Sequence, residues 1–281
     1  MHDQNPFKKG YDFLKLAEYS PDLKKGVIQN KYGKSTIDFS EAKSVKALNT
    51  ALLKHQYGID WDIPDKNLCP PVPGRLDYLL HVSELVRKEA IQILDIGTGA
   101  SLIYPILATC HFNWKCTGSE ISDSSIKNAA EIIRKNSKLQ SIELRKQECK
   151  NSILKNIIQP SDFFDIIICN PPFYRNAIQA NRQNIRKNKN LKNKKIESRN
   201  FSGIPDELWC PGGEKKFIET LVKEGVEFKN QIEWFTTLIS NEDHLSSIKK
   251  EIQKTKPTSI KVIQMGQGNK TSRFAAWSYL K

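Results

Sequence analysis

The chain has 281 residues, and 44 Lys or Arg against 31 Asp or Glu give it a formal net charge of +13 at pH 7. This length suits one large domain with a smaller extension. No stretch approaches the roughly 20 apolar residues that span a bilayer, and the N-terminal segment lacks the apolar core of a signal peptide. We therefore expect a cytoplasmic protein without membrane association, and the excess of positive charge predicts a polyanionic partner.

Cysteine usage argues against both a metal centre and a disulfide framework. The six cysteines are scattered along the chain and form no C-x-x-C pair. They are Cys69, Cys110, Cys116, Cys149, Cys169 and Cys210. We expect these thiols to be reduced and the protein to bind no metal.

Residues 1–88 show helical patterns interrupted by loops, which predict a mainly helical N-terminal extension. Within it, segment 41–54 places its apolar residues near one helix face. The segment 68–75 is too rich in proline to form a helix and precedes a second helical stretch over about 76–88. We take residues 89–281 as the second domain.

From residue 91 onward, short apolar strands alternate with helical patterns, which indicates a parallel α/β sheet. The predicted strands cover about 91–96, 116–121, 141–145, 163–169 and 233–240. Helices are predicted between them, including a short one at about 153–158. The last two strands, at about 259–264 and 274–280, predict an antiparallel hairpin at the sheet edge because a short Gly-containing segment joins them.

The tetrapeptide Asn170-Pro171-Pro172-Phe173 directly follows the apolar strand 163–169. Its prolines end the strand because neither can donate to a sheet ladder, and each holds the preceding residue in extended geometry. The turn thereby presents an amide side chain, a bare carbonyl and an aromatic face together. These groups fit a flat ring that carries an exocyclic amine, such as adenine. An ordinary proline loop with a packed Phe is the structural alternative.

A second candidate site follows the first strand of the sheet, where Asp95, Gly97 and Gly99 form a D-x-G-x-G turn. Nucleotides bind outside the carboxyl ends of the strands in doubly wound sheets. The spacing differs from the known diphosphate-binding motifs. Glu120 ends the next strand, about twenty residues further on, where an acid accepts the hydroxyls of a ribose. Together, the turn and Glu120 predict a pocket for a ribose-bearing cofactor. The alternatives are a purely structural turn and, for Glu120, a solvated carboxylate.

Several segments resemble a single methyltransferase family. They are 95–105, 118–120, 169–173, 208–214 and 267–274, together with His2-x-x-Asn5, 62–64 and 69–78. They are similar to the RlmF family of 23S ribosomal RNA adenine-N6 methyltransferases, itself similar to the eukaryotic enzymes that methylate adenine in U6 small nuclear RNA. The likeness covers nearly the whole chain.

The resemblance implies a Rossmann-like class I methyltransferase sheet, mostly parallel with an antiparallel C-terminal strand. S-adenosyl-L-methionine is then the methyl donor and S-adenosyl-L-homocysteine the product. The implied partner is 23S ribosomal RNA or a large-subunit precursor, and we expect a monomer.

The resemblance also implies a set of cofactor-binding residues. Gly97 and Ser101 line the site, Glu120 holds the ribose, and Gln147 lies near the adenine. Arg75 reaches the methionine carboxylate, for which a charge-assisted Arg pair is well suited. The complete predicted cofactor site is Arg75, Asp95, Gly97, Gly99, Ser101, Glu120, Gln147 and Asn170.

The predicted catalytic residues are Asn170, Pro171, Pro172 and Phe173. By analogy with this class, the Asn170 side-chain oxygen and the Pro171 carbonyl accept the two N6 protons as the methyl transfers, and Phe173 stacks on the base. Three alternatives stay open at this point: transfer to a DNA adenine, transfer to a protein glutamine, and a non-catalytic RNA-binding protein that acts in ribosome assembly.

The segment 175–200 is strongly basic, with nine Lys or Arg residues and a single acid. Its composition predicts a flexible loop. Because it begins directly after the tetrapeptide, we expect it to contact the RNA backbone. The basic residues are Arg175, Arg182, Arg186, Lys187, Lys189, Lys192, Lys194, Lys195 and Arg199. The lysines of the N-terminal extension predict a second rim of the RNA groove, with a lid over the fold as the alternative.

Overall fold

The computed structural model describes residues 1–65, 67–175, 208–267 and 270–280. Its centre is a seven-stranded sheet with apolar clusters on both faces. The helices are α1 (Phe13–Ala17), α2 (Pro21–Gly26), α3 (Ala42–Tyr57), α4 (Val72–Ser83), α5 (Ile103–Phe112), α6 (Asp123–Lys135), α7 (Gly213–Gly225) and α8 (Glu242–Lys254). The strands are β1 (Val27–Gln29), β2 (Ser35–Ile37), β3 (Gln92–Ile96), β4 (Lys115–Glu120), β5 (Glu143–Lys146), β6 (Phe164–Cys169), β7 (Ile232–Ile239), β8 (Ser259–Gln267) and β9 (Lys270–Ser278). Within these described ranges, no helix has the length and apolar character needed to cross a bilayer.

The large sheet has the strand order β5-β4-β3-β6-β7-β9-β8. The first five strands in this order run parallel, whereas β9 pairs antiparallel with both β7 and β8. The predicted Rossmann-like α/β sheet with an antiparallel C-terminal strand is therefore confirmed. The chain moves from β3 to β4 on one side and returns to β6 on the other, so a crevice opens between β3 and β6.

The alternating side chains of β6 show how the sheet is buried on both faces. Ile166 and Ile168 join the apolar cluster that contains the N-terminal helices, while Ile167 and Cys169 join the cluster that contains α7 and α8. Successive residues of a strand point to opposite faces, so an uninterrupted apolar run is what a strand buried on both sides requires. All six residues of β6 are buried.

The N-terminal extension packs on one face of this sheet rather than standing apart from it. Leu23 of α2 and Leu53 of α3 are fully buried in the same apolar cluster as residues of the central strands. On α4, the Tyr78 hydroxyl lies 2.6 Å from Thr236 Oγ1 on β7. The Asn5 amide donates to the Pro73 carbonyl at 3.0 Å. The extension and the sheet therefore share a continuous core.

The expectation that segment 68–75 cannot be helical is wrong at its C-terminal end. Helix α4 begins at Val72 and includes Pro73 in its first turn. Proline is tolerated there because the first N–H groups of a helix have no intrahelical partner.

The prediction of a short helix at 153–158 is also wrong, because this segment forms bends and turns. The buried carboxylate of Glu224 accepts hydrogen bonds from the backbone N–H groups of Ile153 and Leu154 at 3.0 and 2.7 Å. Glu224, about seventy residues further along the chain, thus holds the segment. The local periodicity of the segment does not reveal this contact. The hairpin of β1 and β2 in the extension is a further element that the helical patterns did not predict.

Candidate functional site

Three predicted site residues lie at the carboxyl ends of neighbouring strands. Ile96 at the end of β3 is the register partner of Ser119 on β4 and of Cys169 on β6. Gly97 and Asn170 directly follow β3 and β6, and Glu120 is the last residue of β4, so the three residues lie at one level of the sheet edge. The sequence placed these residues at strand ends, and the parallel register brings them to the same edge of the sheet.

The turn after β3 requires glycine at two positions. Gly97 and Gly99 have φ values of 72° and 64°, in the left-handed region that other residues rarely adopt. The backbone N–H groups of Gly97 and Thr98 donate to the Ser119 carbonyl at 3.0 and 2.9 Å, which folds the turn over the end of β4. A Cβ built on Gly97 would meet no described atom within 4 Å. The turn therefore faces open space in which a ligand can approach the backbone.

Glu120 is buried at the end of β4 and is tied directly to the glycine turn. Its Oε2 accepts from the Gly99 N–H at 2.9 Å, and its Oε1 accepts from the N–H groups of Ile121 and Ser122 at 2.7 and 2.8 Å. Three backbone donors stabilise a negative charge at this point. The carboxylate is thus held rigidly beside the turn, as a group that receives two hydroxyls must be.

Asp95 lies below the turn with only 1% of its surface exposed. Among the described residues, neither of its carboxylate oxygens has a hydrogen-bond partner of acceptable geometry. The Thr98 hydroxyl lies near but outside that geometry, and Thr98 Oγ1 is likewise buried without a partner there. Burial raises the pKa of Asp95 to about 7; Thr98 opposes this rise, Glu120 adds to it and Arg75 lowers it. A buried carboxylate without a partner is costly, which suggests that a cationic ligand completes it.

The tetrapeptide also carries a buried acceptor. The Asn170 side-chain oxygen is buried and makes no hydrogen bond to any described residue. Pro171 is buried, and Pro172 and Phe173 are half-buried. The Phe173 ring is roughly perpendicular to that of Tyr174, with the two centroids 6.4 Å apart. The turn thus brings a buried amide acceptor and a half-buried aromatic ring together.

The chain segments that precede and follow residues 176–207 are joined beside the tetrapeptide. The Tyr174 N–H donates to the Leu208 carbonyl and the Cys210 N–H donates to the Tyr174 carbonyl, both at 3.0 Å. Arg175, the first basic residue of the loop, is exposed, and a Cβ built on Gly213 would clash with its Cγ. The other eight predicted RNA-binding residues, from Arg182 to Arg199, lie outside the described residues.

Arg75 approaches the same edge of the sheet from the first turn of α4. Its Nη1 donates to the Tyr104 hydroxyl on α5 at 2.9 Å. It is close enough to Asp95 to lower the pKa of that carboxyl. Arg75 and Asp95 are 20 positions apart in the sequence and lie on different elements. The fold therefore brings a cation and a buried acid together, as binding an amino acid group requires.

Gln147 lies at the end of β5, but its side chain is engaged within its own loop. Its Nε2 donates to the Lys155 carbonyl at 2.9 Å, and its Oε1 accepts from the Cys149 N–H at 2.9 Å. Its backbone N–H donates to the Glu120 carbonyl at 2.8 Å. Gln147 therefore fixes the loop that follows β5, and its amide is already satisfied.

Two residues that sequence reasoning did not single out support the glycine turn from behind. The Trp61 indole N–H donates to the Ser101 carbonyl at 2.8 Å. The Asn128 amide donates to the Ala100 carbonyl at 2.8 Å and to the Asp62 carbonyl at 3.1 Å. Trp61 is adjacent to the segment 62–64 that carries the family resemblance, and this was the available signal. These contacts fix the turn to the extension and to α6.

One group of described residues has the composition of a metal site. His2, His81 and Glu84 bring their potential ligand atoms within 4.8 Å of one another. However, His2 Nδ1 accepts from the Gln4 N–H at 3.2 Å, which assigns the ring proton to Nε2, 3.0 Å from Glu84 Oε1. A metal-ligating histidine instead donates its second N–H to an acceptor. The arrangement is that of a His–Glu hydrogen bond.

Comparisons with known proteins show the family to which the chain belongs. A family model described as RNA methyltransferase matches residues 1–281. "Ribosomal RNA large subunit methyltransferase F" of Christiangramia forsetii is 44% identical over 285 residues, which cover 99% of this chain and 100% of that protein. The protein of the same name from Vibrio campbellii is 41% identical, over 100% of this chain and 80% of that protein.

Solved structures give the same result. The hMettl16 catalytic domain in complex with MAT2A 3'UTR hairpin 6 is similar with a TM-score of 0.86 and 29% identity, over 100% of this chain and 98% of that one. The N-terminal domain of human METTL16 in complex with SAH is similar with a TM-score of 0.81 and 26% identity, over 100% and 99% of the two chains. The chain belongs to the family of RNA methyltransferases that includes the ribosomal RNA large subunit methyltransferase F proteins.

Proposed function

We propose that this protein transfers a methyl group from S-adenosyl-L-methionine to the N6 amine of an adenine in 23S ribosomal RNA, with S-adenosyl-L-homocysteine as product. The observation that carries the proposal is the buried Asn170 oxygen, which has no hydrogen-bond partner among the described residues and lies at the end of the strand next to the glycine turn. It supports a site in which an amine donor meets an acceptor at the edge of a cofactor pocket. The relatives named for ribosomal RNA methylation support the choice of substrate.

The residues at this edge fit S-adenosylmethionine in charge and hydrogen-bonding character. When bound, the cofactor supplies an activated methyl group on its sulfonium. Gly97 leaves room for a ligand against the backbone, and Glu120 presents a fixed carboxylate to the ribose hydroxyls. Asp95 receives the ammonium and Arg75 the carboxylate of the methionine half. Ser101, Gly99 and Gln147 shape the walls of the pocket through their backbone and loop contacts.

The tetrapeptide orients and polarises the adenine amine. The N6 lone pair is delocalised into the ring, so the amine is a weak nucleophile until its protons are held by acceptors. The Asn170 side-chain oxygen and the Pro171 carbonyl accept these two protons, which favours the pyramidal amine of the transition state. Phe173 stacks on the base, and Pro172 holds the turn rigid. The product proton leaves to water or to these acceptors, and no His or carboxylate is needed as a base.

The RNA backbone is bound by two basic regions. The loop 175–200 carries nine cations directly after the tetrapeptide. The second region is the N-terminal extension, which we propose as a separate functional unit of residues 1–88. At the tip of its β1–β2 hairpin, Tyr32 is 73% exposed, and Lys31 Nζ lies 4.9 Å from the ring centroid. An exposed aromatic ring beside cations suits base stacking.

We also propose that the protein acts as a monomer in the cytoplasm.

The decisive experiment is a methyl-transfer assay with methyl-labelled S-adenosylmethionine. The substrate is 23S ribosomal RNA from cells that lack this enzyme, and DNA and protein fractions from the same cells are the comparison. We expect the label in N6-methyladenosine at one position of the RNA. Label in DNA or in glutamine, or cofactor binding without any transfer, would overturn the proposal. Naked RNA and precursor particles are tested side by side, because either is a possible substrate.

A further inference from the structure

Arg75 is held by a tyrosine that neither the tetrapeptide nor the glycine motif includes. Its Nη1 donates to the Tyr104 hydroxyl at 2.9 Å, and its guanidinium carbon lies 5.5 Å from the centre of the Tyr104 ring. The two residues lie in the first turns of α4 and α5. One aromatic side chain therefore contacts the cation in two ways, by a hydrogen bond and by the ring face.

Tyr104 is itself fixed by the core. It is 4% exposed, and its ring packs edge-on against Tyr78 with the centroids 5.7 Å apart. Tyr78 is fully buried and bonded through its hydroxyl to Thr236 on β7. The position of the Tyr104 oxygen is thus set by the sheet that carries the site, whereas an unsupported arginine side chain samples many rotamers.

The state of the Tyr104 hydroxyl suits this contact. Burial raises the pKa of Tyr104 to about 12, although the neighbouring Arg75 lowers it. The hydroxyl therefore stays neutral at physiological pH. A neutral acceptor holds one N–H of the guanidinium and leaves its positive charge and other N–H groups for a carboxylate.

We propose that Tyr104 is a positioning residue. It holds the Arg75 guanidinium in the orientation that receives the carboxylate of the methionine half of the cofactor, and this inference rests on the proposed function. An arginine fork can bond to Tyr104 through one nitrogen and to the carboxylate through another. A lysine at this position has a single nitrogen and cannot reproduce that geometry.

The test measures binding of S-adenosylhomocysteine by calorimetry, in parallel with its decarboxylated analogue, which keeps the nucleoside and the ammonium but lacks the carboxylate. The Tyr104→Phe variant removes one oxygen and keeps the ring contact with Tyr78. We expect its affinity for S-adenosylhomocysteine to fall about tenfold and its affinity for the analogue to change less than about twofold. Tyr57→Phe is the matched control, because Tyr57 is also buried and its hydroxyl bonds to a histidine away from this edge.

An Arg75→Lys variant tests whether Tyr104 acts through Arg75 or only supports the fold. We expect it to lose affinity for S-adenosylhomocysteine selectively, as Tyr104→Phe does, and the double variant to bind about as well as Arg75→Lys alone. Equal losses for the two ligands in Tyr104→Phe would make the tyrosine merely structural, and additive losses in the double variant would show that it does not act through Arg75. If Arg75→Lys binds S-adenosylhomocysteine normally, the inference fails while the proposed function stands. A wild-type protein that binds no S-adenosylhomocysteine overturns both.

Discussion

Ile96 and Cys169 are register partners on the adjacent parallel strands β3 and β6. The residues that follow them, Gly97 and Asn170, therefore leave the sheet side by side at the point where the strand order reverses. Neighbouring strands are about 4.8 Å apart, so a ligand against the glycine turn lies next to the tetrapeptide. This pairing places the proposed methyl donor and acceptor sites within one crevice.

Removal of the Asn170 acceptor should abolish most of the methyl transfer. We expect Asn170→Ala to lower kcat by about 100- to 1,000-fold, in the range seen when one preorganised polar group is removed from a transition state. Single-turnover assays with RNA measure the effect. Asn170→Asp is the control, because it keeps an acceptor oxygen and should retain more activity than the alanine variant. An alanine variant as fast as the parent would contradict the proposed role.

The Phe173 ring should contribute to RNA binding more than to cofactor binding. Base stacking on an aromatic side chain is worth roughly 1–3 kcal/mol. We therefore expect Phe173→Ala to raise the KM for RNA several-fold to about 100-fold, while Phe173→Tyr stays near the parent value. Affinity for S-adenosylhomocysteine should be unchanged in both variants. A loss of cofactor affinity equal to the loss for RNA would indicate that the ring supports the pocket instead.

Glu120 should stabilise both the fold and the cofactor site, because it accepts three backbone hydrogen bonds at the end of β4. In Glu120→Gln the amide nitrogen must face at least one N–H donor, which leaves that donor unsatisfied. We expect a loss of roughly 1–3 kcal/mol in the free energy of unfolding, measured with urea, and weaker binding of S-adenosylhomocysteine. Glu131→Gln on α6 is the control. It weakens exposed ion pairs with Arg134 and Lys135, which contribute little to stability, and should leave the binding of S-adenosylhomocysteine unchanged.

The affinity for S-adenosylhomocysteine should depend on the ionisation of Asp95, whose pKa is about 7. Below this pH the carboxyl is mostly protonated, and a cationic ammonium prefers the carboxylate. Binding should therefore tighten as the pH rises from about 6 to about 8 and should release a proton near pH 7, which calorimetry in buffers of different ionisation enthalpy detects. Asp95→Asn should bind more weakly, without this pH dependence.

The same raised pKa has a consequence for the unliganded protein. The pKa of Asp95 rises from 3.8 to about 7 on folding, so its protonated form is the one the fold favours. Its contribution to stability is present below about pH 4 and is lost as the pH rises through about 7. Saturating S-adenosylhomocysteine should offset this loss.

The basic loop should set the salt dependence of RNA binding. Replacement of Lys187, Lys189, Lys192 and Lys194 by Gln should reduce the slope of log affinity against log salt by up to about 3, since each neutralised phosphate contributes about 0.7 for a single strand. The control replaces the exposed lysines Lys223, Lys229, Lys249 and Lys250 on and near α7 and α8. If both variants change the slope equally, net charge rather than the loop is responsible.

The sequence was informative where a backbone restriction acts on residues next to it in the chain. The apolar run of β6 ended by two prolines predicted a buried strand with Asn170 at its tip, and the glycines after β3 predicted a tight turn. Both expectations follow from local backbone restrictions, and the structure confirms the strand and the turn. The family resemblance added the position of Arg75, which local patterns left as an ordinary surface cation.

Other features depended on partners that are distant in the sequence. Trp61 and Asn128 hold the glycine turn from outside the sheet. Glu224 accepts hydrogen bonds from the segment 153–158, which forms turns instead of the predicted helix. No periodicity reports such contacts, because a hydrogen bond between distant segments leaves no repeat in either one. The proline-containing start of α4 was misjudged because the rule against proline applies to helix interiors and not to the first turn.

The sequence by itself determined the class of fold and the residue types at the strand ends, because strand periodicity, proline and glycine act within a few residues of themselves. The family followed from the resemblance of several segments. Only the tertiary structure decided that Asp95 and the Asn170 oxygen are buried without described partners, and that Tyr104 holds Arg75. Burial and hydrogen-bond satisfaction are properties of three-dimensional packing. They depend on the register of parallel strands and on helices that are brought together only when the chain folds.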